Sequence, residues 1–285
     1  MKKETKRDIY ARYGIEFDGT YVNAPLFGKI RPLLKSGNTK TGTRCYTFSL
    51  LPGGGLFDID VNGTRHVCAG TCGETCRDED GCISCYAFYG RCAMSAARRV
   101  QLMNTVLVRQ HLDWVKRALC AQIEADHLTM VRIHATGDFD EFHNITGEPG
   151  PYAAMWRRVA EKFPAVKFWT YTKFRKRELL FDGLSNANVV RSKLPSGEYN
   201  YGTCDEVCDR YADLIERGER AHVCMCGTPS ELHCQDCAAC STYRYVLFLK
   251  HSTPSYDAKK DPHYAAFCEF VKTQMWDENG NRRNG

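Results

Sequence analysis

The chain reads as an α/β protein with a mainly parallel sheet, on three observations. Between residues 129 and 249, strand-like runs alternate with helix-like runs of roughly 10–15 residues, the signature of βα units. The 285 residues, 43% hydrophobic and 26% charged, are enough to bury a sizeable core. No stretch approaches the roughly 18 consecutive apolar residues of a membrane-spanning helix, so no membrane association is expected.

The elements follow in order. Tyr46-Thr-Phe-Ser-Leu-Leu51 and Leu56-Phe-Asp-Ile-Asp-Val61 read as strands around Pro52-Gly-Gly-Gly55, with Asn62-Gly63 beyond, and predict a hairpin. A cysteine-dense loop covers 68–92. From 95 to 125, Val100, Met103, Val106, Leu107, Leu112, Val115, Leu119 and Ile123 recur near helical spacing, with a break expected around 109–112. Residues 129–134 read as a strand, 152–162 as an amphipathic helix stopped by Pro164, and 166–171 as a strand. Residues 176–184 read as a short helix, 188–192 as a strand, 205–220 as a helix and 243–249 as the last strand. The polar tail 276–285 reads as frayed. Three segments result: an N-terminal extension with a β-hairpin (1–65), an α/β core with the first cysteine cluster (66–222), and a cysteine-rich second metal site with the last strand and a C-terminal helix (223–285).

Sixteen cysteines stand in a chain whose start, Met1-Lys2-Lys3-Glu4, is not followed by an apolar run. That combination predicts a cytoplasmic protein whose cysteines bind metal rather than form disulfides. The net charge of +5 permits a nucleic-acid partner without indicating one.

The first constellation is Cys68-Ala-Gly-Thr-Cys72-Gly-Glu-Thr-Cys76-Arg-Asp-Glu-Asp-Gly-Cys82-Ile-Ser-Cys85. Its glycines let backbone N–H groups approach sulfur closely. The spacing fits a four-cysteine zinc site that recruits Cys68 or Cys72. It fits equally an iron–sulfur loop in which Cys76, Cys82 and Cys85 leave one iron open. In the second constellation, Cys234-Gln-Asp-Cys237-Ala-Ala-Cys240 has ferredoxin-like spacing, and Cys226 upstream completes four ligands, with His233 as a substitute. A zinc ribbon fits the same set. Cys204 and Cys208, four apart on a helix face, lack a third partner nearby, and Cys45, Cys92, Cys120 and Cys268 read as ordinary thiols.

Polar groups cluster at the carboxyl ends of the strands, where parallel sheets bind ligands. His134, Thr136 and Asp138 end one strand. Gly137 lets a ligand meet the backbone, and Asp138 either binds an ammonium or caps the next turn. One strand on, Tyr171 offers a stacking surface and Lys173 a cation, while Phe168 and Trp169 also fit a buried core. Arg98, Arg99, Lys173, Arg175 and Arg177 are the candidates for nucleic-acid contact.

Four blocks in order carry a family resemblance. They are Cys76-Arg-Asp-Glu-Asp-Gly-Cys82-Ile-Ser-Cys85-Tyr86-Ala87 followed by Gly90; Arg132-Ile-His134-Ala-Thr-Gly137-Asp138-Phe139; Phe168-Trp-Thr-Tyr171-Thr172-Lys173; and Cys234, Cys237 and Cys240 before Val246-Leu-Phe-Leu-Lys-His251. Over roughly residues 68–255 the chain resembles the gene product eighty-eight family of phage and mobile-element proteins. That family is similar in outline to the radical S-adenosylmethionine (SAM) enzymes. The resemblance implies an α/β fold of the partial (β/α) barrel kind, radical-SAM-like, with a cysteine-rich C-terminal metal-binding segment.

It further implies that Cys76, Cys82 and Cys85 hold a [4Fe–4S] cluster, with Cys68 and Cys72 as extra cysteines. SAM would lie against His134, Gly137, Asp138, Tyr171, Lys173, Arg191 and Ser192. Cys226, Cys234, Cys237 and Cys240 would hold a second cluster, or zinc. The pattern departs from the usual one in two ways: five then two residues separate the cysteines, instead of three then two, and the turn is Gly-Asp instead of Gly-Gly-Glu. The implied activity is reductive cleavage of SAM to modify an unknown nucleoside, nucleic acid or peptide, with flavodoxin or ferredoxin as electron donor. The other function class is a zinc- or iron–sulfur-stapled nucleic-acid-binding, redox or sensor protein without catalysis.

Overall fold

A computed structural model describes residues 4–37, 42–53, 56–61, 63–72, 86–88, 92, 94–139, 150–173, 177–224, 233–250 and 257–275. The chain opens with α1 (Lys6–Arg12), whose Thr5 and Asp8 form a reciprocal capping box. Two short antiparallel strands follow, β1 (Val22–Ala24) and β2 (Gly28–Ile30). Next come β3 (Lys35–Ser36) and β4 (Cys45–Thr47).

The expected pairing of 46–51 with 56–61 around Pro52–Gly55 does not form: β4 pairs with a later strand, and the hairpin is made by β5 (Leu56–Val61) and β6 (Thr64–Ala69). Val61 faces Thr64, and Gly63 lies in the turn between them at φ +78°. Cys68 therefore lies in a strand, not in the loop expected to start there. The predicted helical stretch is α2 (Ser95–Gln110) and α3 (Leu112–Ala125), broken at His111, whose φ of −138° and ψ of 45° are not helical.

The βα rhythm then appears as β7 (Met130–Arg132), α4 (Pro151–Lys162) and β8 (Lys167–Thr172). Pro151 opens α4 where its missing N–H costs nothing. Residues 177–184 form consecutive i→i+3 turns rather than the expected helix: Leu180, Asp182 and Leu184 donate to the carbonyls of Arg177, Leu179 and Phe181. After β9 (Ala187–Arg191) and β10 (Tyr201–Gly202) comes α5 (Cys204–Glu216), started by a Thr203–Glu206 capping box. Then follow β11 (Ala221–Val223), α6 (Cys234–Cys237), β12 (Tyr245–Leu249) and α7 (Tyr264–Met275). Strands of two or three residues, such as β10 and β11, are too short to leave a readable period.

The main sheet has the order β3-β4-β7-β8-β9, parallel from β4 through β9 with β3 antiparallel at its edge. A second, all-parallel sheet has the order β10-β12-β11. Backbone bonds stitch the two: Arg191 N–H donates to Arg244 O (2.9 Å), and Asn200 N–H to Ser192 O (3.0 Å). Among the described residues the sheets are open and form no closed barrel. Strands β3 and β4 bring part of the first 65 residues into the main sheet, and β6 and β11 run across positions 65–66 and 222–223.

On one face of the main sheet, α2, α3 and α4 bury the principal core, including Leu107, Val115, Val131, Trp156 and Phe168. Trp156 meets Phe48 edge-on, ring centroids 5.6 Å apart. A second core joins α5 and α7 to β11 and β12 through Val207, Leu214, Leu247, Phe267 and Val271. On the other face of the main sheet sits a small cluster of Cys45, Met130 and Trp169, with Tyr171, Ala238 and Cys240 packed on it.

Candidate functional site

Parallel pairing carries the strand ends beyond the regular strands. Ala135 N–H donates to Phe48 O (2.8 Å) and Leu50 N–H to Thr136 O (2.9 Å), so the chain after β7 leaves the sheet at Gly137. Gly137 has φ +82°, and a side chain there would meet Leu50 Cβ at 2.7 Å and Thr71 Oγ1 at 2.8 Å. Thr71 is the keystone. Its hydroxyl donates to Leu51 O (2.9 Å) and accepts from Asp138 N–H (3.0 Å). Cys72 N–H donates to Gly53 O (3.0 Å). The chain entering the 73–85 cysteine run is thus anchored at the carboxyl ends of the parallel strands.

Asp138 is 4% exposed and spans two strand ends. It accepts from Phe139 N–H (2.7 Å), Thr172 Oγ1–H (2.8 Å) and Lys173 N–H (3.0 Å). His134, 3% exposed, has Nδ1 3.1 Å from Thr170 Oγ1 and Nε2 2.8 Å from Tyr152 OH. Burial, then the nearby Arg132 charge, pulls its pKa down to about 3, so it is neutral at any ordinary pH. Its role in the fold is to tie β8 to α4.

The other expected SAM-binding residues divide between the strand ends and the opposite face. Lys173 is half-buried, its Nζ 5.3 Å from the centre of the Tyr199 ring. Ser192 joins the strand ends through its backbone, donating to Thr172 O (3.3 Å) and accepting from Asn200 N–H (3.0 Å). Arg191 donates to Tyr245 OH (2.8 Å), and its Nε lies 2.9 Å from Glu178 Oε2, though off the hydrogen-bonding direction. Tyr171 points to the opposite face of the sheet, where its hydroxyl donates to Cys240 Sγ (2.8 Å). Burial, reinforced by neighbouring thiols, holds the Tyr171 phenol well above its usual pKa.

Of the expected metal ligands, Cys76, Cys82, Cys85 and Cys226 lie outside the described residues. Cys68 is buried, and Arg109 Nη1 donates to its sulfur (2.9 Å) and to Ala69 O (2.8 Å). Cys72 is buried too. Cys234 and Cys237 open and close the single turn α6, and Cys240 follows in a 3₁₀ turn made possible by Ala238 at φ +55°. Cys237 Sγ lies 3.7 Å from His222 Nε2. Among the described residues alone, no three His, Cys, Asp or Glu side chains converge tightly enough to hold a metal ion.

Three contributors escaped the sequence reading. Cys45, read as an ordinary thiol, packs in the cluster that receives Cys240, and burial followed by the charge of Cys234 pushes its pKa up to about 12. His222 and Thr71 are the others. No local signal marks Cys45 or His222, because each meets its partner across a long stretch of sequence. The Ala-Gly-Thr before Cys72 was the readable hint of a tight turn.

A family model described as gene product 88 matches residues 32–274. The chain belongs to the gene product 88 family. The match spans both sheets, both cysteine constellations and the strand-end cluster, so all of these belong to the family domain. Comparison with curated proteins and with solved structures gives no match. No helix among the described residues is long and apolar enough to cross a membrane.

Proposed function

We propose that this member of the gene product 88 family is an iron–sulfur enzyme of the radical SAM type. In this reading Cys76, Cys82 and Cys85 hold a [4Fe–4S] cluster with one open iron, and SAM docks between that cluster and the strand ends. The observation that supports it is the anchoring of Thr71 and Cys72, the residues that precede the cysteine run, against Leu51, Gly53 and Asp138 at the strand ends. When bound, the cluster supplies the electron, received from a flavodoxin- or ferredoxin-like donor, that cleaves SAM reductively for modification of a nucleoside, nucleic acid or peptide.

The chain's own residues position and shield. Asp138 already satisfies three donors, so its part is to clamp the ends of β7 and β8 beneath the ligand rather than to pair with SAM's ammonium. Lys173, carried on the same clamp, is the cation for an amino-acid carboxylate. Gly137 lets the turn close against Leu50 and Thr71, which holds Asp138 in its clamping position. Cys226, Cys234, Cys237 and Cys240 hold the second centre, a cluster or zinc, as a structural staple.

One observation favours the non-catalytic reading, a metal-stapled binding, redox or sensor protein: the carboxylate best placed for SAM is occupied by the chain itself. Anaerobic reconstitution separates the two. The enzyme reading expects iron and sulfide that fall by one cluster in the Cys76/Cys82/Cys85→Ala triple variant, calorimetric SAM binding, and 5′-deoxyadenosine under strong reductant. In Asp138→Asn, lower stability with near-normal SAM affinity is expected. Unchanged iron in the triple variant, or no SAM binding by the reconstituted protein, overturns the reading.

A further inference from the structure

A second concave site lies away from the strand ends. A cavity of about 680 Å³ opens between the 27–35 segment and the first half of α2. Its floor is apolar, made by Phe27, Leu33 and Met103, all buried. Its rim carries Lys29, Arg31, Lys35 and Arg99, and no carboxylate lines it among the described residues. Lys29 is neutralised by Asp18, at 2.9 Å. Arg31 lies over the Tyr21 ring, 4.8 Å from its centre, and both are exposed. Lys35 is half-buried with its Nζ donating to Pro32 O (2.6 Å). Arg99, one turn into α2, is exposed and makes no ion pair among the described residues. Its neighbour Arg98 is committed elsewhere, donating to Ala87 O and lying over Phe88, and Arg177 is buried. Of the basic residues expected to touch nucleic acid, Arg99 lines this cavity.

We propose that this cavity binds a nucleoside phosphate, with the base against the Phe27–Met103 floor and the phosphate held by Arg31, Lys35 and Arg99. The chemistry argues for it from both sides. Arg31, Lys35 and Arg99 line the cavity with no carboxylate among its described lining residues, so an anion entering it meets one sign of charge. The apolar residues Phe27, Leu33 and Met103 in the same cavity suit an uncharged group on that ligand. Burial first, then the Arg31 charge, lowers the Lys35 pKa to about 8. A nucleotide unit supplies both parts, whether free or within a single strand.

The test does not depend on metal loading of the cysteines. Binding of a fluorescein-labelled 20-mer single-stranded DNA, of ATP and of inorganic phosphate is measured on the full chain by anisotropy and calorimetry. The proposal expects the 20-mer, ATP or both to bind. Displacement of the 20-mer by ATP marks a site open to free nucleotides, and binding of the 20-mer without ATP binding marks a strand site. The variant Arg31→Gln/Arg99→Gln should bind at least tenfold more weakly. For the 20-mer it should also lose about 1.4 from the log–log salt slope, at about 0.7 per phosphate contact on a single strand. Arg158→Gln, exposed on α4 outside the cavity, should bind like wild type. Lys35→Met supplies a readout that a structural role would not give: weaker binding without a lower melting temperature. Binding unaffected by Arg31→Gln/Arg99→Gln, equal loss in Arg158→Gln, inorganic phosphate binding as tightly as ATP, or no binding by wild type would each overturn it.

Discussion

Both ring nitrogens of His134 are engaged, by Thr170 and Tyr152, in a site that admits no added charge. Above pH about 6.5, His134 is neutral in folded and unfolded chains alike, so this contribution to stability is fully present. As the pH falls from 6.5 towards 3, the unfolded chain takes up a proton that the folded one refuses. Stability then drops by up to about 1.4 kcal/mol per pH unit. His263 runs the other way, its pKa raised by the Asp205 carboxylate, but that pair is exposed and screened. Urea denaturation between pH 7.5 and 5 should show the His134 limb in wild type. His134→Gln should be less stable at pH 7.5 yet flatter across the range, and equal slopes would assign the acid sensitivity to other groups. At this scale the residue types were legible and their roles were not. His134 and Asp138 stood out as polar groups at strand ends, but only their partners show that each is consumed internally. A hydrogen bond to a residue some 35 positions away, as between Asp138 and Thr172 or Lys173, leaves no trace in local pattern.

The elements of the strand-end region are held by close approach as much as by side chains. Gly137 combines a left-handed backbone with contact distances of 2.7–3.0 Å to any added Cβ. Gly183 has nearly the same φ, +83°, but open space around it. The pair separates conformational cost from crowding. Gly183→Ala should lose about 1–2 kcal/mol, the penalty of the left-handed region alone, and Gly137→Ala clearly more, because Leu50 and Thr71 must also move. Equal losses in chemical denaturation would mean that the Leu50–Thr71 contact yields at no cost. Helices α2 to α5 and the long strands were readable from hydrophobic spacing, because that signal acts within a few residues, whereas the hairpin was read around Pro52–Gly55 and formed one strand later. The 177–184 turns were not readable, since Leu180 and Phe181 are buried by tertiary packing without a helix to present them.

At the scale of the whole molecule, the 233–243 segment closes the sheet face opposite the helices. Asn188 donates to the carbonyls of Cys240 (2.9 Å) and Tyr243 (2.8 Å), and Gln235 accepts from Arg44 N–H (2.9 Å). A metal held there would tie β4, β8 and β9 to the C-terminal sheet. Cys237→Ala should therefore remove one centre's worth of metal and lower the melting temperature before it alters SAM or nucleotide binding. Unchanged metal content would remove Cys237 from the ligand set, and a lowered melting temperature alone would assign it to packing against His222.

The sequence by itself determined the α/β rhythm, the helix break at His111 and the two cysteine patterns. All of these are set by spacing and backbone preference over a few residues. Only the tertiary structure decided that Thr71 links Leu51 to Asp138, that Cys240 lies under Tyr171, and that Lys35 and Arg99 share one cavity. Those meetings join positions tens of residues apart. They depend on how parallel crossovers pack helices against the sheet, which no local signal encodes.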